Sequence, residues 1–319
     1  MPVSTRTALL ARGRPRVDRR CYKRTAVQNL TMSAETTAAK NKNLALRFAT
    51  AGVAVPFILW ALLIAPHYVW ATFVLGPAMG IAAHELFRMV FPEAKLLQAW
   101  GVLSTLAMGG IFYLSMASEQ PSPLLVPGIL VLVLASLLMS LTRPMPNETA
   151  GMRMAWLVAG PFYIGGTIST LAALHAQPFG GQWVVLSMML AWFADTGGYF
   201  AGRFLGGKIF GPSKMSPNIS PNKTWEGALG AVGGGLVGVL LAHFWYLPKL
   251  PLLGGLALAL IGCPLGICGD LVESLVKRST GTKDSGKIVP GHGGLIDRID
   301  ALMFTSTATL IYARFILPL

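Results

Sequence analysis

Long apolar segments alternate with short polar links over most of the chain. The apolar segments cover residues 48–66, 68–91, 97–117, 123–142, 155–176, 182–201, 225–247, 251–270 and 299–317. Each is close to the roughly 20 residues that a helix needs to cross a bilayer, and a backbone inside lipid must be helical to satisfy its own polar groups. The pattern therefore predicts an all-α polytopic membrane protein with about nine transmembrane helices.

The composition agrees with this prediction. Of the 319 residues, 53% are hydrophobic and 12% are charged, and the mean hydropathy is +0.58. Soluble domains carry about 25% charged residues, so the charged fraction is typical of a membrane protein. The three cysteines, Cys21, Cys263 and Cys268, have no metal-ligand spacing and form no disulfide framework. We interpret Cys263 and Cys268 as small apolar residues of a helix.

The net charge of +13 is concentrated at the start of the chain. Residues 1–47 contain 11 of the 26 Lys and Arg and show no apolar periodicity. We expect a disordered cytoplasmic segment attracted to anionic lipid, and no nucleic-acid partner. Met32 is an alternative start, in which case residues 1–31 would not belong to the mature protein.

The basic residues also predict an orientation. With the N-terminus in the cytoplasm and nine helices, the inner segments hold 24 of the 26 basic residues, and only Lys249 and Arg314 lie outside. This is the distribution that the positive-inside rule requires. Helices one to five (48–176) are then a scaffold. Helices six to nine (182–319) carry two long cytoplasmic loops and seven of the thirteen acidic residues.

The last loop combines carboxylates, glycines and basic residues. Asp270 and Glu273 share one helix face, and Asp297 and Asp300 repeat that spacing at the next helix. Carboxylates gathered in this way repel one another unless a cation binds, and Mg²⁺ prefers such oxygen ligands together with substrate phosphates. The site would therefore suit phosphoryl or nucleotidyl transfer.

Other residues of the two loops could bind a nucleotide. Gly293 and Gly294 would let backbone amides approach an anion at a helix start. Basic residues could bind phosphates, and short polar side chains could bind a base or ribose. The further candidates are Asp195, Lys208, Ser220, Asn222, Lys223, Lys277, Arg278, Lys283, Asp284, His292 and Arg298.

A simpler interpretation exists for each residue taken alone. Basic residues at the inner edge of a membrane commonly set topology, and a lone carboxylate at a helix end is often a cap. Because carboxylates, glycines and basic residues all occur in one loop, we favour a functional site there. We interpret Gly230–Gly238 as small-residue helix packing. Glu85, near the inner end of helix two, receives no role.

Three segments resemble the diagnostic motif of phosphatidate cytidylyltransferases, also called CDP-diglyceride synthases. They are residues 274–278 (SLVKR), 283–286 (KDSG) and 290–300 (PGHGGLIDRID), with Val289 as a departure from the usual Leu, Ile or Phe. Residues 195–203 (DTGGYFAGR) and 216–227 (SPNISPNKTWEG) resemble the upstream motif of the family, with Gly198 where Ala is common. The resemblance covers helices six to nine, and residues 1–31 lie outside it.

The resemblance implies a reaction of CTP with phosphatidic acid that gives CDP-diacylglycerol and pyrophosphate, with Mg²⁺. It assigns Asp270 and Asp297 as metal ligands and Glu273, Asp300 and Asp195 as companions. The expected place is a bacterial inner membrane, with the active site facing the cytoplasm. We see no pairing that would argue for a covalent intermediate, so we expect direct attack on the α-phosphate. The identity of a second metal ion, a homodimer and the acyl-chain preference stay open.

Two other functions remain as alternatives. A CTP-dependent lipid kinase, such as a polyprenol kinase, would use similar loop chemistry but would release CDP. A transporter would place ionisable groups near the midplane of broken helices. The apolar segments carry almost no charge at their centres, which disfavours transport.

Overall fold

The computed structural model describes residues 56–118, 122–143, 145–211, 214–286 and 293–317. The chain divides into two units, and every element named below lies in the second, Ile58–Leu319. Residues 1–47, predicted as a disordered segment, lie outside the described residues. The same holds for the start of the predicted helix 48–66, although residues 58–63 are helical.

After this first helical segment, eight further helices follow in the described residues. Seven of these helices in the described part are long and apolar enough to cross a membrane. They are α1 (His67–Val90), α2 (Lys95–Ala117), α4 (Asn147–His175), α5 (Gly180–Leu205), α6 (Trp225–Tyr246), α7 (Leu252–Ser279) and α8 (Ile296–Ile316). The apolar helix α3 (Leu125–Ser140) is shorter. The predicted helical architecture is therefore confirmed, with seven helices among the described residues that could cross a membrane.

A small hairpin departs from the expected all-α fold. Strands β1 (Lys214–Ser216) and β2 (Ser220–Thr224) pair antiparallel between α5 and α6. Pro217 and Asn218 occupy the turn between them, and both residue types favour turns. The hairpin leads directly into α6, where the Thr224 hydroxyl caps the helix by accepting the Gly227 N–H at 3.0 Å.

Helix α7 is longer than its apolar segment predicts. We expected the helix to end near residue 270, but it continues to Ser279. Glu273 and Lys277 lie one turn apart in this extension and form an ion pair of 2.6 Å, an arrangement that supports a helix. Lys277 and Arg278 are therefore helical and do not lie in a loop.

Glycines allow the helices around the candidate site to pack closely. The glycines of α6 contact the α5 backbone directly: a side chain at Gly230 would meet the Gly197 carbonyl oxygen at 2.6 Å. This confirms the prediction that residues 230–238 serve helix packing. Cys263 is buried in α7 and Cys268 is exposed on it, and neither forms a disulfide.

Candidate active site

Three carboxylates from α7 and α8 come together at one end of these helices. Asp270 and Glu273 lie one turn apart near the end of α7, and Asp300 lies in the first turns of α8. One oxygen from each lies within 4.8 Å of the others. Gly269 permits this approach, because a side chain there would stand 2.5 Å from the Asp300 carbonyl oxygen.

Glu273 is the most deeply buried member of this carboxylate group. Its residue exposure is 2%, and its Oε2 accepts an ion-pair contact from the Lys277 Nζ at 2.6 Å. Its Oε1 is also buried and has no hydrogen-bond partner among the described residues. Leaving a buried carboxylate oxygen without a donor or cation is costly. The three oxygens therefore fit a hard cation that would complete the coordination of Glu273.

Asp297 lies beside this group but has different partners. Its Oδ1 accepts from the Lys277 Nζ at 2.7 Å. Its Oδ2 accepts from the Ser285 N–H at 3.1 Å, the Ser285 hydroxyl at 3.0 Å and the Gly294 N–H at 2.8 Å. Both oxygens thus accept from protein donors, and neither belongs to the group of carboxylate oxygens that lie within 4.8 Å of one another. The Gly294 amide, expected to face a substrate anion, is directed at Asp297.

Lys277 links the two arrangements. Its side chain is 13% exposed and contacts Glu273 and Asp297 at 2.6 and 2.7 Å. A lysine held between two partly buried carboxylates is retained in its charged form and offsets part of their repulsion.

Two cavities meet at this site. The first, of about 720 Å³, is lined by six carboxylates and two basic residues among the described residues. Its lining consists of Asp195, Asp270, Glu273, Lys277, Asp284, Gly293, Asp297, Arg298 and Asp300. We call it the acidic cavity. Because a nucleoside triphosphate is strongly anionic, this excess of carboxylates would repel a free triphosphate and requires cations to accompany it.

The second cavity, of about 640 Å³, lies between α5, the hairpin and α6. Its walls are largely small or apolar residues such as Gly198, Ala228 and Ala231, with Lys223 and Arg203 as the basic residues. We call it the apolar cavity. It shares Asp195 and Asp270 with the acidic cavity.

Lys223 lies at the junction of the two cavities. Its Nζ contacts the Asp270 Oδ2 at 2.6 Å and donates to the Ile267 carbonyl at 3.3 Å. A positive charge is therefore held where the acidic and the apolar walls meet. Asn222, also predicted as a substrate-binding residue, lines the apolar cavity.

The remaining predicted residues fall outside these linings. Lys208, Ser220, Arg278, Lys283 and Gly294 line neither cavity in the described part of the chain. Lys208 lies in an exposed turn whose backbone is held by Glu226. The Glu226 Oε1 accepts from the N–H groups of Gly207, Ile209 and Phe210 at 3.0 to 3.3 Å. His292 lies outside the described residues.

Two buried polar residues escaped the sequence analysis. The Tyr163 hydroxyl is buried without a hydrogen-bond partner in the described ranges. It belongs to a π-helical segment, Pro161–Gly166, and such segments are frequent at functional sites. Glu85 is 2% exposed and bonds to the α7–α8 link. In the sequence, the only indication of a role for Glu85 is that a charged residue lies inside an apolar segment.

Fold and site together define a polytopic helical membrane protein with a carboxylate cavity suited to cation-assisted phosphate chemistry. A family model described as "Cytidylyltransferase family" matches residues 45–316. The chain is 33% identical over 224 residues to a phosphatidate cytidylyltransferase of Staphylococcus haemolyticus, covering 70% of this chain and 82% of that protein. The chain belongs to the cytidylyltransferase family, which confirms the resemblance drawn from the motifs.

Other relatives match over a shorter part. A phosphatidate cytidylyltransferase of Brucella suis is 41% identical over 165 residues, which are 49% of this chain and 56% of that protein. One of Synechocystis sp. is 43% identical over 142 residues, 44% of this chain and 46% of the relative. The chain thus spans about half the length of these two curated relatives.

Proposed function

We propose that this protein transfers CMP from CTP to phosphatidic acid and releases pyrophosphate. A phosphate oxygen of phosphatidate forms a bond to the α-phosphorus of CTP, and the bond from that phosphorus to the β-phosphate oxygen breaks. The names of the relatives support the substrates. The observation that carries the proposal is the junction at Asp195 and Asp270, where a cavity suited to cation-bound phosphates adjoins one suited to a lipid.

We propose that Asp270, Glu273 and Asp300 hold a Mg²⁺ ion. When bound, the ion would neutralise phosphate charge and so make the α-phosphorus easier to attack. The support is the approach of three carboxylate oxygens and the unpartnered Oε1 of Glu273. Asp297 and Asp300 were both predicted as metal ligands. The proposal keeps Asp300, because one of its oxygens approaches those of Asp270 and Glu273, and gives Asp297, which accepts from Lys277, Ser285 and Gly294, a supporting role.

The basic residues have distinct proposed roles. Lys223, at the junction, would contact the lipid phosphate as it leaves the apolar cavity, and Asp195 would face both substrates. Arg298 lines the acidic cavity and would bind the leaving pyrophosphate. Lys277 would keep Glu273 and Asp297 in place. Arg278, Lys208 and Lys283 are exposed and would attract the nucleotide at longer range.

We further propose nine transmembrane helices, a cytoplasmic N-terminus and a site that faces the cytoplasm of a bacterial plasma membrane. The distribution of basic residues and the bacterial relatives support this topology. Single cysteines introduced at Lys249 and Lys214, in a chain whose native cysteines are replaced by alanine, test it. We expect an impermeant maleimide to label position 249 in intact cells, and position 214 only after lysis. The reverse pattern would refute the orientation.

The activity is tested with purified protein, phosphatidate, Mg²⁺ and CTP labelled in its α-phosphate. We expect the label to appear in a CDP-lipid, with one pyrophosphate released per lipid formed. A lipid kinase would instead form no CDP-lipid from phosphatidate and would leave the label in CDP once a lipid alcohol is added to accept the γ-phosphate, and a transporter would leave CTP intact. Either result would refute the proposal.

A further inference from the structure

Glu85 lies in the inner part of α1, about 200 residues away in sequence from the segment that it contacts. Its Oε1 accepts the Leu295 N–H at 3.0 Å, and its Oε2 accepts the Ile296 N–H at 3.1 Å and the Ser285 hydroxyl at 3.2 Å. These amides belong to the start of α8, where intrahelical acceptors are absent. Glu85 therefore caps α8 from another helix.

The burial of Glu85 shows how closely this contact is built. The residue is 2% exposed, and among the described residues no basic side chain forms an ion pair with it. A buried carboxylate without a counter-ion depends on its hydrogen-bond donors. Gly294 is required beside it, because a Cβ at that position would stand 2.6 Å from the Glu85 Oε2.

Ser285 connects Glu85 to the site. Its hydroxyl lies 3.2 Å from the Glu85 Oε2 and 3.0 Å from the Asp297 Oδ2. A hydroxyl has one proton, so the two carboxylates share a single donor. From Asp297 the contacts continue through Lys277 to Glu273, a member of the carboxylate group. Glu85 is thus the far end of an unbroken polar chain that reaches the proposed cation ligands.

We infer that Glu85 is a positioning residue for the reaction. Glu85 fixes the position of Ser285 and of the start of α8. These in turn position Asp297, and Lys277, which contacts Asp297, positions Glu273. The inference rests on the proposed function for its effect on turnover. Its structural part concerns cation affinity and does not depend on the identity of the substrates. It also connects the half of the chain that was predicted to be a scaffold directly to the site.

The test compares Glu85→Ala and Glu85→Gln with the control Glu93→Gln. Glu93 lies just beyond α1 and is exposed, and its one ion pair among the described residues is a 3.8 Å contact with Arg143. The first readout is Mn²⁺ binding to the purified full-length protein without substrates, followed by electron paramagnetic resonance. We expect Glu85→Ala to weaken Mn²⁺ binding about 10-fold or more, as happens when residues behind metal ligands are removed. Glu93→Gln should bind Mn²⁺ as the unsubstituted protein does.

The second readout is hydrogen exchange of peptides that contain residues 293–296. We expect about 10-fold faster exchange in Glu85→Ala, because two amides lose their acceptor, and a smaller increase in Glu85→Gln, which keeps one carbonyl oxygen. If Glu85→Ala does not fold, Glu85→Gln carries both readouts. Unchanged exchange in the variants would overturn the capping role. Faster exchange with unchanged Mn²⁺ affinity would overturn the link to the carboxylate group.

Turnover separates this inference from the proposed function. With active unsubstituted protein, we expect Glu85→Gln to lower kcat about 10-fold while the KM for phosphatidate changes little, since Glu85 does not line the apolar cavity. A change confined to that KM would contradict the positioning role. If the unsubstituted protein forms no CDP-lipid, the proposed function fails, and the Mn²⁺ and exchange readouts still decide the role of Glu85.

Discussion

The two cavities that meet at Asp195 and Asp270 are built from opposite kinds of side chain. The acidic cavity takes four of its six carboxylates from the ends of α7 and α8, where charge can be placed near water at lower cost than at mid-membrane. The apolar cavity lies against α5 and α6, whose glycines bring the helices close and leave small residues on its walls. The ends of helices thus supply most of the carboxylates of one cavity. The small residues at a close helix crossing leave space for an apolar substrate in the other.

The links beside these cavities also differ. Each is held by a buried glutamate that accepts three hydrogen bonds from it: Glu226 accepts from residues 207, 209 and 210, and Glu85 accepts from residues 285, 295 and 296. Glu226 belongs to the helix that follows its own link, whereas Glu85 comes from the other half of the chain. The link next to the carboxylate group is therefore the one whose position depends on long-range packing.

The largest expected effect comes from removing a carboxylate of the acidic cavity. Asp300→Asn and Glu273→Gln each take one charged oxygen from the proposed cation site. We expect kcat to fall about 10³-fold, equivalent to about 4 kcal/mol of transition-state stabilisation. Steady-state formation of CDP-lipid at saturating Mg²⁺ measures the change. Glu148→Gln, which alters an exposed acid at the start of α4, is the control, and near-normal turnover in Asp300→Asn would refute the cation site.

Lys277→Met is expected to have the next largest effect. It keeps the length of the side chain but leaves Glu273 and Asp297 without their shared counter-ion. Breaking such a buried contact costs about 3 kcal/mol or more, because the remaining charges are uncompensated. We expect a lower melting temperature in detergent and at least about 100-fold less activity. An unchanged melting temperature would mean that the lysine is not the link between these acids.

A smaller effect should separate the apolar cavity from the acidic one. Ala228→Leu adds three carbons to the wall of the apolar cavity. We expect the KM for phosphatidate to rise about 10-fold, the size of effect that a few methylenes have in a binding pocket, while the KM for CTP is unchanged. Leu229→Phe, an exposed position next in sequence on α6, is the matched control. A rise in the KM for CTP alone would reverse the assignment of the two cavities.

Glu226→Ala should have the smallest effect on catalysis. It leaves the Gly207, Ile209 and Phe210 amides without their protein acceptor, but these residues are exposed and water can replace it. Because residues 207–210 line neither cavity among the described residues, we expect faster hydrogen exchange there but less than about 5-fold loss of activity. A loss comparable to that of Asp300→Asn would place this link in the active site.

The sequence predicted the elements near the site better than it predicted the pairing of side chains. The apolar segments and the one-turn spacing of Asp270 and Glu273 follow from local periodicity. The different partners of Asp297 and Asp300 do not follow from periodicity, because they depend on where Ser285 and Gly294 place their donors. The small hairpin was missed because strands of three and five residues give no periodic signal. Glu85 was missed because its partners are remote in sequence.

The central claim is that Asp270, Glu273 and Asp300 bind the divalent cation, and that Asp297 supports them without binding it. Mn²⁺ titration of the purified protein, followed by electron paramagnetic resonance of the bound ion, tests this most directly. We expect Asp300→Asn to abolish detectable tight binding, and Asp297→Asn to weaken it only about 10-fold to 100-fold. Tight binding that survives in Asp300→Asn and is lost in Asp297→Asn would contradict the account.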